Sequence, residues 1–278
     1  MIKLFGQIFP FWIGTVSIGA ACFFLERIWP WRKAQKVGRR QIGQDVFYLV
    51  FNGHFVGIAL AFVSGWLFYY LTTLLGMFDI GSPQEVDLLV NWSLASQFVV
   101  LFLVRDLLEW CVHNLLHRVP CLWEIHKLHH SIEELDWIGN FRFHWLELVV
   151  YKALTFLPLI VLGVDPAVQL WIGLIAMAIG NLNHSNLNIS WGPLRYVLNS
   201  PRMHVWHHDA ENHGKSGQNF AVVFSLWDWI FRTAYWPRDE QQPEQLGFEG
   251  MSKYPKDLTG RLMYPLRRWW RALRQSEK

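Results

Sequence analysis

From Leu4 to Leu25 the chain carries no charged residue, and this run constrains the fold more than any other feature of the sequence. About 20 apolar residues are what a helix needs to cross the hydrocarbon core of a bilayer. The run is too long for the apolar core of about 7–15 residues in a cleaved signal peptide, so it is expected to stay as a first span. Further apolar stretches follow at Val46–Phe78, Leu88–Val104, Leu146–Val164 and Ala167–Ile179. The second is interrupted only by Asn52, His54 and a few hydroxyls, and the third continues as a helix through Arg105 and Glu109. Between the last two stands Gly163-Val-Asp-Pro166, a turn signal. It predicts a tight helical hairpin whose second arm is short or partly re-entrant. After Asn181 short apolar pieces alternate with charge, and no further span is expected.

Composition agrees with this reading. Charged residues make up 17% of the chain, against about 25% in an average soluble domain. Aromatic residues make up 16%, with 17 Trp among them, and Trp favours the interface between lipid tails and water. The expected fold is all-α: a membrane bundle of four to five embedded helices with a cytoplasmic helical cap. The 278 residues are read as one domain, with N-terminal spans over 4–78, a catalytic core over about 88–237 and a tail over 238–278. A net charge of +3 with no basic module gives no sign of nucleic-acid binding. Cys22, Cys111 and Cys121 form neither a CxxC pair nor an even framework, which argues against a disulfide scaffold or a cysteine zinc site.

Lys and Arg set the orientation. The segment Glu26–Asp45 holds Arg27, Arg32, Lys33, Lys36, Arg39 and Arg40, whereas Gly76–Asp87 holds Asp79, Glu85 and Asp87 and no base. The first segment is therefore cytoplasmic and the second lies outside. The tail, with Arg261, Arg267, Arg268, Arg271 and Arg274, falls on the cytoplasmic side again. This multi-pass topology puts most of the histidines on the cytoplasmic face.

Those histidines form three clusters: His113 and His117 (HxxxH), His126, His129 and His130 (HxxHH), and His204, His207 and His208 (HxxHH). On a helix, positions i, i+3 and i+4 share a face. Each HxxHH box therefore presents three imidazoles over a fan of roughly 100°, a shape suited to two neighbouring metal ions. A lone His in an apolar stretch, such as His54, is ordinarily a satisfied polar side chain. Three clusters on one membrane face are different, because polar groups near lipid are costly and tend to be functional. Eight imidazoles exceed the needs of one ion. Imidazole donors suit Fe, Zn, Cu or Ni rather than Mg or Ca, and the residues alone leave that choice open.

The segment from Arg105 to Pro237 resembles the fatty acid hydroxylase / sterol desaturase superfamily of membrane di-iron oxygenases. The resemblance rests on the three boxes in order, on Asn183-His184-Ser-Asn-Leu-Asn188, Gly192-Pro-Leu-Arg195 and Ser200-Pro-Arg-Met-His204, and on Asn219 and Trp227-Asp-Trp-Ile-Phe231. It implies two iron ions, O2 as co-substrate, attack on an unactivated C–H bond of a membrane lipid or sterol-like substrate, and electrons from a reductase or cytochrome partner. That partner is expected because no flavin or iron–sulfur motif is present. The resemblance also implies His184 as a ninth ligand, the alternative being a hydrogen bond to a ligand. No catalytic residue beyond the ligands is expected.

Arg142-Phe-His144-Trp-Leu-Glu147 is similar to the family's RxHPxE motif but has Trp145 where Pro is usual, which leaves the role of His144 open. His213, in a Gly-rich loop, reads as a surface residue. Asp106 and Glu109 lie upstream of His113 on its face. They either accept its imidazole N–H, as carboxylates beside metal ligands do, or mark a capped or solvated helix end. Hydroxylation is favoured over desaturation because more of the superfamily's branches hydroxylate. Other classes weighed are a histidine-rich membrane metal-binding or transport protein and a bis-His cytochrome. Transport would place ligands at mid-bilayer in broken spans, and a cytochrome would place facing histidines inside spans; the pattern here fits neither.

Overall fold

The structure is a computed structural model that describes residues 8–57, 91–161, 164–237 and 241–276, together with scattered positions between 62 and 89. No strand occurs among the described residues, where two isolated bridges, Pro30 with Leu187 and Asp209 with Leu246, pair extended backbone. Helices α1 (Ile8–Ile28), α2 (Ile42–Val50), α3 (Leu94–Arg118) and α4 (Pro120–His130) form the first half. They are followed by α5 (Trp145–Val161), α6 (Pro166–His184), α7 (Pro201–His207), the short α8 (Leu226–Ile230) and α9 (Leu258–Ser276). Among the described residues, two segments, Pro10–Ile28 in α1 and Pro166–His184 in α6, are long and apolar enough to cross a membrane. Residues 78–88, which hold most of the acidic loop expected outside, and much of the second apolar stretch lie outside the described residues.

Proline and caps place the breaks. Within the third apolar stretch a helix begins at Leu94, because Ser93 accepts from Ser96 N at 3.1 Å and caps it there. The helix then runs unbroken to Arg118. Val119 is extended, at φ −93 and ψ 113, because the ring of Pro120 disfavours the helical region for the residue before it. The chain turns at this point and α4 folds back along α3, bringing the second histidine box onto the first. Helix α6 opens in the same manner, with Asp165 accepting from Ala167 N at 2.8 Å and Pro166 in first position. In α7, Ser200 and Pro201 play those parts.

Packing follows from small residues and apolar faces. Helix α1 lies against α6 so closely that a Cβ on Gly14 would stand 2.4 Å from Leu174 Cδ2. Such approach through small residues is how helices pack where no water drives association. Between α3 and α6, Leu101, Val168 and Ile172 form one core with Phe98 and Phe102. A second core joins Val112 and Leu116 of α3, Ile125 of α4, Leu146 and Tyr151 of α5 and Trp269 of α9.

Two arginines that contribute to the cytoplasmic bias are buried in a polar network. Arg39 donates to Asp136 at 2.6 Å and to Asp45 at 2.5 Å, and Arg142 pairs with the same Asp45. Arg261, from α9, donates to Gln41 at 2.9 Å and Gln44 at 3.0 Å. The network ties the segment after α1, the start of α2, the 131–142 segment and α9 together beneath the histidines.

Candidate metal centre

Nine histidines converge in two groups. His113, His117, His126, His130 and His207 form one, His129, His184, His204 and His208 the other, and within each group the ligand atoms lie within 4.8 Å of one another. Each HxxHH box contributes to both groups, as the fan of side chains on one helical turn allows. Eight of the nine are buried; His117 is half-buried.

The hydrogen bonds made by the outward ring nitrogens decide which inner nitrogens carry lone pairs. His113 Nδ1 donates to the carbonyl of Phe220 at 2.6 Å, His184 Nδ1 to that of Gly180 at 2.8 Å, and His207 Nδ1 to that of Gln218 at 2.8 Å. His129 Nδ1 donates to Arg142 O at 3.3 Å, and His126 Nδ1 to the carboxylate of Glu147 at 2.7 Å. A carbonyl can only accept, so in these neutral rings the proton sits on Nδ1 and Nε2 is bare. The bare atoms face one another: His113 Nε2 lies 3.2 Å from His126 Nε2, and His184 Nε2 lies 3.2 Å from His129 Nε2. His207 Nε2 is buried with no hydrogen-bond partner.

Two lone pairs at such a distance repel unless a cation lies between them. Metal–imidazole bonds of about 2.0–2.1 Å, at angles from a right angle to tetrahedral, set donor nitrogens about 3–3.4 Å apart. The residues therefore fit a metal pair. Burial, reinforced by neighbouring imidazoles, holds His117, His126, His129, His130, His204, His207 and His208 well below the ordinary histidine range. Burial brings His113 down to about 4. The rings are thus neutral near pH 7, the form that binds metal.

The supporting carboxylates are not those nearest in sequence. Asp106 is buried and accepts from Val223 N, Phe224 N and Trp227 Nε1, each at 2.9 Å, and Glu109 pairs with Arg105 at 2.6 Å. Neither bonds His113 and neither caps a solvated end; Asp106 braces α3 against the 220–228 segment, and the Glu109 ion pair lies within α3 itself. Asp228 does similar work, accepting from Phe220 N, Ala221 N, Trp110 Nε1 and the hydroxyl of Thr233. It thereby fixes the Phe220 carbonyl on which His113 rests. The carboxylate that meets a clustered imidazole is Glu147, at the end of the string read for His144. The signal was present as that string, but its pairing with His126 appears only when α5 packs on α4.

His144 stands apart from both groups. Its Nε2 donates to Leu262 O at 2.9 Å and its Nδ1 accepts from Leu146 N at 3.3 Å, so it links the start of α5 to α9. His213 pairs with Asp209 at 2.7 Å and stacks on Tyr235 with 4.0 Å between ring centroids. The side chain of His54 lies outside the described residues.

Comparison with known proteins places this arrangement. Residues 98–233 match the fatty acid hydroxylase family. An ornithine lipid hydroxylase of Rhizobium tropici is 29% identical over 260 residues, covering 92% of this chain and 75% of that protein. Methylsterol monooxygenase 1-1 of Arabidopsis thaliana is 32% identical over 144 residues, and alkylglycerol monooxygenase of Homo sapiens 28% identical over 153. Each of these two alignments covers 51% of this chain, and 47% and 31% of the respective relative, so the chain spans half or less of their length. No solved structure matches. The stretch that matches the fatty acid hydroxylase family, residues 98–233, is the one that holds all nine clustered histidines.

Proposed function

We propose that this chain is a membrane-bound di-iron oxygenase that uses O2 to hydroxylate a lipid. The observation that carries the proposal is the pair of convergent histidine groups in which five rings, His113, His126, His129, His184 and His207, commit their Nδ1 protons to four carbonyls and one carboxylate and turn bare Nε2 atoms inward. His113, His117, His126, His130 and His207 would hold one ion, and His129, His184, His204 and His208 the other. Iron bound there would supply O2 activation for attack on an unactivated C–H bond. The protein's own contribution is to keep the imidazoles neutral, fix their tautomers and exclude water, with Phe143 stacked on His129 at 4.6 Å and Phe220 beside His113 and His117. His117 is the ligand that meets the surface, and it marks the side from which electrons from an outside reductase or cytochrome would enter.

The relatives are named for ornithine lipids, methylsterols and alkylglycerols. These share an amphipathic lipid character, and hydroxylase and monooxygenase chemistry supports hydroxylation over desaturation here. The membrane topology proposed has four to five embedded helices and a cytoplasmic cap, the whole forming one unit. Supporting it, α1 and α6 end side by side: Trp31 N donates to Asn186 O at 2.9 Å, so the basic segment after α1 meets His184 at one end of the bundle. By the positive-inside rule that end is cytoplasmic. The test is purified protein assayed for about two non-haem irons per chain, followed by 18O2 and a reductase with its membranes. Label in a new lipid hydroxyl is expected. Loss of two hydrogens without label would instead show desaturation at the same site. Protein that binds no iron, or that moves metal across vesicles, would refute the reading.

A further inference from the structure

Helix α9 presents three faces. Arg261, Pro265 and Trp269 turn inward: Arg261 and Pro265 are buried, and Trp269 Nε1 donates to Cys121 O at 3.0 Å. A second face carries Met263, Leu266, Trp270 and Leu273, exposed by 40, 37, 58 and 61%. At about 100° per residue these four fall within roughly 80° of one another, a continuous apolar stripe. Along its edge stand Arg267, Arg271 and Arg274, all exposed, with Arg274 over the ring of Trp270 at 4.8 Å. The helix Leu258–Ser276 contains no Asp or Glu. An apolar stripe beside a basic stripe, without acids, is the pattern of a helix lying in a membrane interface.

Its position in the fold agrees. His144, immediately before α5, bonds Leu262 O, and Trp269 packs in one cluster with Leu146 and Tyr151 of α5. Leu146 begins the fourth apolar stretch, so α9 runs at the level where α5 enters the bilayer. Its inner face is held by α4 and by the buried Arg261, which fixes the direction in which the stripe points. A second copy of the chain is a poor occupant, because its own arginines would meet these.

We infer that α9 is an in-plane anchor: its apolar stripe sinks into the acyl boundary of the cytoplasmic leaflet, and Arg267, Arg271 and Arg274 bind anionic lipid headgroups. The inference rests on the membrane reading above and extends it to a helix outside the histidine site. It gives the catalytic cap a fixed height over the lipid surface and a preference for anionic membranes.

The test uses the full chain in nanodiscs of phosphatidylcholine, with and without phosphatidylglycerol. Nitroxide labels are placed at Leu266→Cys, Leu273→Cys and Gln275→Cys in a Cys111→Ser, Cys121→Ser background, and collision with O2 is compared with collision with a water-soluble nickel chelate. The O2-to-nickel ratio is expected to be several-fold higher at 266 and 273 than at 275, and to rise with phosphatidylglycerol. The Arg267→Gln, Arg271→Gln, Arg274→Gln triple variant is expected to lose that lipid dependence. Equal nickel access at 273 and 275, or shielding of 273 from both reagents as a protein contact would give, overturns the inference. A label at Val99→Cys on α3 separates the two readings: lipid-exposed there with 273 in water leaves the membrane reading standing and α9 off the surface, whereas water at both sites sinks both.

Discussion

Replacing Glu147 by Gln tests whether the centre depends on its supporting shell. Glu147 is fully buried and its Oε1 accepts from His126 Nδ1 at 2.7 Å. Gln preserves volume, so no cavity opens, and its amide oxygen can still accept the same proton. What disappears is the charge. A hydrogen bond to a charged group contributes about 1.5–3 kcal/mol net, against about 1 for a neutral one. Independently, changing the partner of a metal-bound histidine costs about 10–100-fold in metal affinity, which is about 1.4–2.7 kcal/mol. The first difference is about 0.5–2 kcal/mol, or about 2–30-fold; the two ranges overlap at and just above tenfold, so Glu147→Gln is expected to weaken metal binding about tenfold. Glu147→Leu, which leaves the Nδ1 proton with no acceptor, is expected to weaken it further.

The assay is chelator competition on full-length protein in nanodiscs, with thermal unfolding of the metal-free form measured beside it. The second measurement matters because Glu147 Oε2 has no hydrogen-bond partner, and the amide nitrogen that replaces it would be buried and unpaired at a cost of about 1–3 kcal/mol. A purely structural role would lower the unfolding temperature and leave the chelator midpoint alone. Wild-type metal affinity in both variants would refute the reasoning.

Other outcomes follow from the same contacts. His207→Ala is expected to abolish turnover and lower bound metal, while His144→Ala keeps the metal and loses about 1 kcal/mol of stability with its bond to Leu262; elemental analysis separates the two. Asp228→Asn exchanges one acceptor oxygen for a donor amid four donors, so a loss of at least about 2 kcal/mol and weaker metal retention are expected in unfolding and metal assays. Gly217 adopts φ +107 and a Cβ there would stand 3.2 Å from His117 Nδ1; Gly217→Ala should therefore reduce metal content, with normal content counting against a tight loop over His117. The buried rings have pKa values pushed below 6.5, so their contribution is fully present above the unfolded value and is lost as pH falls below it. Below pH 6.5 the metal-free protein should lose stability at up to about 1.4 kcal/mol per pH unit for each such histidine, and a stability flat from pH 7 to 5 would contradict the neutral assignment.

The histidine clusters were legible because their information is local: an HxxHH box on one turn fixes where three imidazoles point whatever the rest of the fold does. That locality explains why all nine positions named from spacing and resemblance come together in the structure. The α3–α4 corner was readable in principle from Val119-Pro120, since proline acts on its immediate neighbour. The support of the site was not legible, for the same reason inverted. The carbonyls of Arg142, Gly180, Gln218 and Phe220 carry no side-chain signature, and their use depends on which backbone passes behind which ring. Asp106 and Glu109 share a helical face with His113, yet that face meets the 220–228 segment, whose backbone N–H groups claim Asp106 first.

Two of the basic residues have a second role that the sequence does not display. Arg39 and Arg261 count toward a cytoplasmic bias in the sequence, but Asp45, Asp136, Gln41 and Gln44 hold them inside the protein. Removing one partner of such a buried pair costs about 3–5 kcal/mol, because the other is left uncompensated. Arg142 joins this network through its guanidinium and the histidine site through its carbonyl. The ring of His129 is therefore positioned by an ion cluster that also anchors α2 and α9, and the geometry of one metal group depends on contacts as distant in sequence as Arg39 and Arg261. Beside Glu147, which touches His126 directly, a centre built from neutral imidazoles is in this sense also held in register by charges, those of Arg39, Asp45 and Asp136, that do not touch it.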